Sequence, residues 1–359
     1  TCRATYADMV IFDDELRPHV QHELERELGL RVIDRTLLIL DIFSQRAHTH
    51  EGRVQVELAQ YRYLLPRLVG RGTELSWLGG GIGTRGPGET RLEFDRRRIR
   101  QRIARLEREI EGIRMHRRVH RVSRQRKELP LVAIVGYTNA GKSTLLNRLT
   151  GSSVEVADKL FATLDPTTRR LQLPGGQEVL ITDTVGFIAK LPPTLVAAFR
   201  ATLEELDEAD LLLHVVDITG EQVERACRVV GEILADLGLQ DKPTLLVLNK
   251  ADRLLPEAKM RGEQALGEMS PEALGLDPVP DTVLISAEMG WGLEALKERI
   301  EDVLNAESPR VEVRVPFDAS DMVDLFRRKG VVESERHTNE GTVIRGRLPA
   351  RYLAEFEPY

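Results

Sequence analysis

The sequence is short of cysteine and of long apolar runs, and each shortage narrows the classes of protein it can belong to. Cys2 and Cys227 are the only thiols among 359 residues, so neither a disulfide framework nor a zinc site is expected. The longest apolar run near the middle, residues 211–216, is interrupted by His214 and is far too short to span a bilayer. No signal peptide is visible, which predicts a cytoplasmic protein with no membrane span.

The charge is distributed unevenly along the chain. With 42% hydrophobic and 30% charged residues the composition is that of a globular protein, and the length allows two or three domains. Residues 91–127 hold 15 Arg or Lys against five Asp or Glu, a net charge of +10, which leaves −16 for the rest. This asymmetry predicts a local polyanionic partner. A solvated helix face is the alternative explanation.

Residues 131–149 combine an apolar run, a glycine-containing loop and a helical pattern. Leu131 to Val135 predict a buried strand, and Leu145, Leu146 and Leu149 predict the helix that follows the loop. The loop between them matches G-x-x-x-x-G-K-[ST], which cradles phosphates on backbone N–H groups at a helix N-terminus. Its predicted contact residues are Gly136, Tyr137, Thr138, Asn139, Ala140, Gly141, Lys142, Ser143 and Thr144. Lys142 is expected to reach the β and γ phosphates, and the Ser143 hydroxyl to ligate Mg²⁺.

Two later segments predict the part of the site that senses the γ-phosphate. A strand over residues 179–182 ends in Asp183, Thr184, Val185 and Gly186, where the Asp183 carboxylate suits the Mg²⁺ shell and the Gly186 N–H suits the γ-phosphate. A switch loop is expected at Phe161, Ala162, Thr163, Leu164 and Asp165. Thr163 is the candidate second hydroxyl ligand of Mg²⁺, with Thr167 and Thr168 as competitors. We predict catalytic roles for Lys142, Thr163 and Gly186.

Two strand ends predict that the base is guanine. Residues 245–248 lead into Asn249, Lys250, Ala251 and Asp252, and residues 283–285 lead into Ser286, Ala287 and Glu288. The Asp252 carboxylate can accept both N1–H and the exocyclic amine of guanine, the Lys250 stem can lie over the base, and backbone N–H groups at 286–288 can read O6. The spacing predicts a GTPase-type domain over residues 129–306, a doubly wound α/β sheet with its ligands at the strand C-terminal ends. The predicted ligands are GTP or GDP with Mg²⁺.

Phe187 is the main departure from the usual GTPase pattern. Ras-like proteins carry a water-orienting Gln at this position, and Phe cannot orient water. We therefore expect slow intrinsic hydrolysis that a bound partner stimulates. Asn139 would allow a K⁺ ion beside the phosphates.

The flanking regions predict three further parts. Residues 1–90 alternate short strands with helices, a small α/β domain whose front we expect to be missing because two strands are too few for a stable sheet. Within this domain the glycine-rich loop that starts at Trp77 predicts close approach to a large partner, with a flexible linker as the alternative. Residues 91–128 predict a basic helical hairpin, in which the apolar seam (Ile99, Ile103, Leu106, Ile110, Ile113) pairs with the Val119 region. Residues 307–359 predict a small α+β module.

The motifs together resemble the HflX family of translation-associated GTPases. The resemblance rests on GTRGPGETRLE (83–93), GYTNAGKS (136–143), FATLDPTTR (161–169), DTVGFI (183–188) and NKAD (249–252). It implies binding of the large ribosomal subunit, with residues 77–127 reaching ribosomal RNA, and GTP-dependent separation of stalled or idle ribosomes under stress. We expect a monomer.

Two other classes of function stay open at this point. One is an RNA-modification or ribosome-assembly protein whose G domain gates chemistry elsewhere, although the flanks show no second catalytic cluster. The other is a non-catalytic nucleotide sensor or scaffold, which Phe187 keeps open. Modified RNA in a reaction with the purified protein would favour the first, and failure to turn over GTP even with ribosomes would favour the second.

Overall fold

The structure is a computed structural model that describes residues 6–68, 91–125, 129–151, 167–188, 206–219, 223–254, 264, 266, 282–306, 308–349 and 352–359. These residues fall into two units: one holds the described residues up to 122 and the other those from 123 onward. Within the described part of the chain, no helix combines the length and apolarity that a membrane crossing requires.

The first unit opens with a small α/β arrangement, as the sequence predicts. Its elements are β1 (Met9–Phe12), α1 (Pro18–Leu28), β2 (Arg31–Asp34), α2 (Arg35–Arg46) and α3 (His50–Arg67). Strands β1 and β2 pair in parallel. Pro18 stands in the first turn of α1, where its missing N–H is harmless, and Gly29 ends the helix in a left-handed conformation with φ of 64°.

Asp34 is the polar centre of this unit. Its side chain is fully buried at the start of α2. Oδ1 accepts hydrogen bonds from the Leu37 N–H (2.9 Å) and the Tyr63 hydroxyl (2.8 Å), while Oδ2 accepts from the Leu16 N–H (3.1 Å) and the Arg67 guanidinium (3.0 Å). The buried carboxylate is thus bonded at both oxygens and paired with a cation, which is the condition for tolerating such burial.

The basic segment folds differently from its prediction. It is one continuous helix of 35 residues, α4 (Arg91–Gln125), and the hairpin predicted within residues 91–128 is wrong. The apolar seam packs against α3 instead, where Leu106 and Ile110 form a cluster with Val54 and Leu58. No proline interrupts the segment, and Gly112 alone is too weak a helix breaker to turn the chain.

The second unit contains the predicted α/β sheet. Its six strands are β3 (Leu131–Gly136), β4 (Thr167–Gln172), β5 (Glu178–Asp183), β6 (Leu211–Asp217), β7 (Thr244–Asn249) and β8 (Thr282–Leu284), in the order β4-β5-β3-β6-β7-β8. The helices described here are α5 (Lys142–Thr150), α6 (Val223–Asp236), α7 (Ala251–Leu254) and α8 (Leu293–Leu304). Five strands are parallel, and β4 pairs antiparallel with β5 at the edge. The sequence reading assigned no strand to 167–172.

Both faces of this sheet are covered, as a doubly wound fold requires. Val132 and Ile134 of β3 belong to one apolar cluster, while Ala133 and Val135 belong to a second cluster with residues of α6. Because successive side chains of a strand point to opposite faces, alternate residues of β3 enter the two clusters. This placement brings the C-terminal ends of β3, β5, β6 and β7 to one edge of the sheet.

The C-terminal part is the small α+β module that the sequence predicts. Strands β9 (Arg310–Val315), β10 (Val331–Thr338) and β11 (Gly341–Arg347) form an antiparallel sheet in the order β10-β11-β9. Helices α9 (Ser320–Lys329) and α10 (Leu353–Phe356) supply Phe326 and Phe356, whose rings meet edge to face within an apolar cluster. The four-part division of the chain stays a prediction.

Candidate functional site

The loop between β3 and α5 has the backbone of a phosphate-binding nest. Gly136 has φ of 152° and Gly141 φ of 94°, and Asn139 has φ of 64°, which an L residue rarely adopts. A side chain at Gly136 would collide with the carbonyl oxygen of Val215, and one at Gly141 with the Asn249 amide. The two glycines are therefore required by conformation and also by the close approach of a neighbouring atom, a backbone oxygen at Gly136 and a side-chain amide at Gly141.

Lys142 lies at the centre of this loop, at the start of α5. Its side chain is buried, and Nζ donates to the carbonyl oxygens of Gly136 (3.1 Å) and Tyr137 (2.9 Å). Burial lowers the pKa of the ammonium to about 8, and Asp183 acts in the opposite direction. A phosphate beside Nζ would raise this pKa again, because a nearby anion favours the charged form.

Ser143 and Asp183 come together from different elements. Ser143 follows Lys142 in α5, Asp183 ends β5, and the Ser143 hydroxyl donates to Asp183 Oδ2 at 2.6 Å. Among the described residues there is no cluster of three or more His, Cys, Asp or Glu side chains that could hold a metal. One hydroxyl and one carboxylate oxygen in contact nevertheless fit Mg²⁺, which takes few protein ligands and completes its shell with phosphates and water.

Asn249 joins the phosphate loop to the segments that are predicted to read the base. Its Nδ2 donates to the Ala140 carbonyl (2.8 Å), and its Oδ1 accepts from the Ala287 N–H (2.9 Å). Three segments far apart in sequence are thus held by one buried amide. The Ala287 N–H is engaged in this bond, so reading guanine O6 with that group requires exchanging it for the base.

Asp252 is buried at the start of α7. Its Oδ1 accepts from the Ser286 hydroxyl at 2.6 Å, and the neighbouring Ala251 N–H donates to the Ile285 carbonyl. Glu288 lies nearby, where its carbonyl oxygen accepts from Arg148 of α5. The structure therefore brings the predicted residues at 249–252 and 286–288 together at one edge of the sheet.

The segment after Asp183 runs along the phosphate loop. The Thr184 hydroxyl donates to the Ile134 carbonyl at 2.6 Å, and Val185 is buried. A Cβ added at Gly186 would lie 3.0 Å from the Lys142 ammonium nitrogen, so the Gly186 backbone lies against the lysine that we expect at the phosphates.

Phe187 has a structural role in this place. Its ring is buried with Ala133 and Val135. Its N–H donates to the Gly136 carbonyl (3.0 Å), and its carbonyl accepts from the Thr138 N–H (2.8 Å). The residue therefore anchors the end of this segment to the phosphate loop, and its apolar side chain points into the core.

Some predicted residues lie outside the described part of the chain. They are Phe161, Ala162, Thr163, Leu164 and Asp165 of the expected switch loop, and the glycine-rich loop that starts at Trp77. The competitors Thr167 and Thr168 are described. They lie in β4, where the Thr168 hydroxyl donates to the Thr182 hydroxyl at 3.2 Å.

The sequence reading missed one residue of this site, Asp217. It ends β6 and lies 2.7 Å from the Lys250 ammonium. The available signal was a carboxylate at the end of an apolar run, the same pattern that identified Asp183.

Three family models and several known proteins match this chain. Residues 131–250 match the family described as 50S ribosome-binding GTPase, residues 46–124 the GTP-binding GTPase middle region, and residues 1–44 the GTP-binding GTPase N-terminal region. GTPase HflX of Caldanaerobacter subterraneus subsp. tengcongensis is 48% identical over 95% of this chain and 76% of its own. GTPase HflX of Escherichia coli is 43% identical over 99% of this chain and 82% of its own. A GTP-binding protein of Sulfolobus solfataricus, solved with GDP, is 29% identical over 85% of this chain and 83% of its own, with a TM-score of 0.47.

Proposed function

The chain belongs to the HflX family of GTPases, and we propose that it couples GTP hydrolysis to binding of the large ribosomal subunit and to the separation of stalled or idle ribosomes. Binding and hydrolysis of GTP follow from the family. Binding of the ribosome is supported by the family description of residues 131–250 and by the basic helix α4. The observation that carries the nucleotide-binding part of the proposal is the clamp in which Asn249 holds the phosphate loop and Ala287 together.

We assign the nucleotide contacts along this clamp. Backbone N–H groups of residues 136–144 would hold the phosphates, with Lys142 as the cation among them. Asp252 would accept the two guanine donors, which requires its carboxylate to turn from the Ser286 hydroxyl or to share it. Because adenine does not present that pair of donors, the Asp252 carboxylate would favour guanine.

Mg²⁺ would be held by Ser143, with Asp183 beside it, and Thr163 is our proposed further ligand. These residues would hold the ion where it offsets the negative charge of the phosphates. The Gly186 backbone lies beside Lys142, and its N–H would donate to the γ-phosphate and hold the segment after Asp183 in order.

Hydrolysis without a partner should be slow because Phe187 supplies no group that orients water. The Phe187 ring could turn outward only by opening the core around Ala133 and Val135. We propose that a bound partner orders the water and that a K⁺ ion beside Asn139 adds positive charge at the phosphates. The exposed position of Asn139 at φ of 64° keeps its side chain accessible for this role.

The exposed face of α4 is the proposed contact with ribosomal RNA. Arg98, Arg100, Arg105 and Arg108 are exposed. The opposite face is used by α3, through the Leu106 seam and a bidentate pair between Arg102 and Glu57 at 2.8 Å for each bond. The helix therefore presents guanidinium groups on one side while it is fixed on the other, which suits a phosphate backbone.

The test is GTP hydrolysis by the purified chain in K⁺ buffer, with and without large ribosomal subunits, together with co-sedimentation. We expect strong stimulation and pelleting that depends on GTP. Lys142→Ala and Ser143→Ala should abolish the nucleotide dependence, and Asp252→Asn should reduce the preference for guanine. Normal GTP binding by the Lys142 and Ser143 variants would refute the assigned site.

A charge-reversal pair tests the RNA face separately. Arg98→Glu with Arg105→Glu should weaken co-sedimentation and reduce its dependence on salt, because fewer phosphate contacts release fewer counterions. Arg17→Glu with Arg26→Glu makes the same charge change on exposed positions at α1 of the same unit and serves as the matched control. Equal weakening by both pairs would mean that total charge, and not the α4 face, drives binding.

A further inference from the structure

Lys250 has an unusual backbone conformation and pairs with a residue of the neighbouring strand. It follows β7 with φ of 69°, a left-handed conformation that few residues other than glycine adopt without support. Its ammonium lies 2.7 Å from Asp217 Oδ2, and the lysine side chain is only 13% exposed. The pair therefore fixes both the direction of the lysine stem and the place of its charge.

Asp217 is itself fixed on its other side. Its Oδ1 accepts from the Thr219 N–H (2.9 Å) and from the Thr219 hydroxyl (2.6 Å). Burial raises the pKa of the Asp217 carboxyl, but the bonds from Lys250 and Thr219 outweigh burial and bring the pKa below its ordinary value. The carboxylate is charged at neutral pH and cannot rotate away from Lys250 without breaking both bonds to Thr219.

The neighbouring strands place this pair at the base-reading edge. Asp217 and Asn249 are register partners at the ends of β6 and β7, and the Ile218 N–H donates to the Asn249 carbonyl (3.2 Å). Asn249 is held by Ala140, Asp252 by Ser286 and Lys250 by Asp217. Every polar side chain of the 249–252 motif thus has a partner from another segment.

We propose that Asp217 is a positioning residue for guanine nucleotides: it holds the Lys250 ammonium so that the lysine stem lies over the base. This inference rests on the proposed role of Lys250. Asp217 does not touch the nucleotide in this scheme and acts on affinity for the nucleoside part through Lys250. The phosphate loop does not depend on it.

The test uses Asp217→Asn in the full chain, with titration of GDP and, separately, of pyrophosphate. The amide keeps the size of the carboxylate and removes its charge. We expect GDP affinity to fall about tenfold, in the range of a charge-assisted hydrogen bond, while pyrophosphate affinity stays within about twofold. Equal losses for GDP and pyrophosphate would overturn the proposal, because they would place the effect on the fold and not on the base.

A double-mutant cycle identifies the partner. In a Lys250→Met background, Asp217→Asn should cause no further loss of GDP affinity. If Lys250→Met weakens GDP binding but Asp217→Asn does not, the proposal for Asp217 fails alone. If Lys250→Met binds GDP as the unchanged protein does, the assigned role of Lys250 fails and the proposal for Asp217 fails with it.

Two further variants keep the test decisive. Thr219→Val removes the hydroxyl bond to Asp217 and keeps the N–H bond, so GDP binding should weaken about threefold. If Asp217→Asn does not fold, this variant replaces it, and unchanged GDP affinity would then count against the proposal. Glu294→Gln neutralises a carboxylate 2.7 Å from Lys297 on α8 and should leave GDP binding unchanged. A loss there equal to that of Asp217→Asn would also overturn the proposal.

Discussion

His214 allows a quantitative prediction about pH and stability. It lies in the middle of β6, between Val135 of β3 and Leu246 of β7, and its side chain is only 8% exposed. Its Nε2 is buried and has no hydrogen-bond partner among the described residues. Burial lowers the pKa of the imidazole from 6.5 to about 4, and the Lys142 charge acts in the same direction.

The sign and size of the effect follow from this pKa. Between pH 6.5 and 4 the unfolded chain takes up a proton at this histidine that the folded chain does not, so the free energy of unfolding falls as the pH falls. From pH 7 to pH 5 the loss from His214 amounts to about 2 kcal/mol. His214→Leu should remove this loss, and at pH 7 it should stabilise the protein by about 1 kcal/mol because a buried nitrogen without a partner is eliminated.

Urea unfolding at pH 7 and pH 5 measures both numbers. Trp291 lies beside Ser286 in the second unit, so in a Trp77→Phe background its fluorescence follows that unit. His19→Leu, at an exposed histidine of α1, is the control and should change neither value. If the His214 variant loses as much free energy between pH 7 and pH 5 as the unchanged protein, the reasoning is wrong.

Three further predictions concern packing and the clamp. Arg67→Met should lower the free energy of unfolding of the first unit by about 3 kcal/mol in urea, because it leaves the buried Asp34 carboxylate without its counter-charge; a loss below about 1 kcal/mol would contradict this. Leu106→Ala should lower the free energy of unfolding by about 3 kcal/mol, because it opens a cavity between α3 and α4. The rate of hydrogen exchange in α4 should rise. Unchanged protection of α4 would show that the apolar seam does not hold this helix. Gly141→Ala should weaken GDP binding at least about tenfold in calorimetry, because the methyl group displaces the Asn249 amide from Ala140, and normal GDP affinity would refute the clamp.

The local elements of this protein are predictable because the signals for them are contiguous. The apolar run at 131–135, the glycine loop and the helix after it occur in one stretch, so each identifies the next. Pro18 and Gly29 mark the ends of α1 for conformational reasons that need no partner.

The basic segment shows that contiguous signals do not identify packing partners. An apolar seam at 99–113 establishes that one stripe of a helix is covered, but it does not identify the covering partner. Distances along the chain favoured the Val119 region, whereas the structure uses Val54 and Leu58 of α3. Strand β4 was missed for a related reason, because an edge strand with one exposed face carries a weak apolar pattern.

The amino-acid sequence was enough to predict which residues take part in the chemistry. The phosphate loop, the 249–252 motif and the segment after Asp183 are each a short stretch of a few residues, so backbone conformation and side-chain type suffice to predict them. How these residues are held is visible only in the folded protein. Asn249 bonds to Ala140, which is 109 residues away in the sequence. Asp217 at the end of β6 pairs with Lys250, which follows β7. Such pairs depend on strand order and register, because parallel strands bring their C-terminal ends to one edge only after the whole sheet has formed.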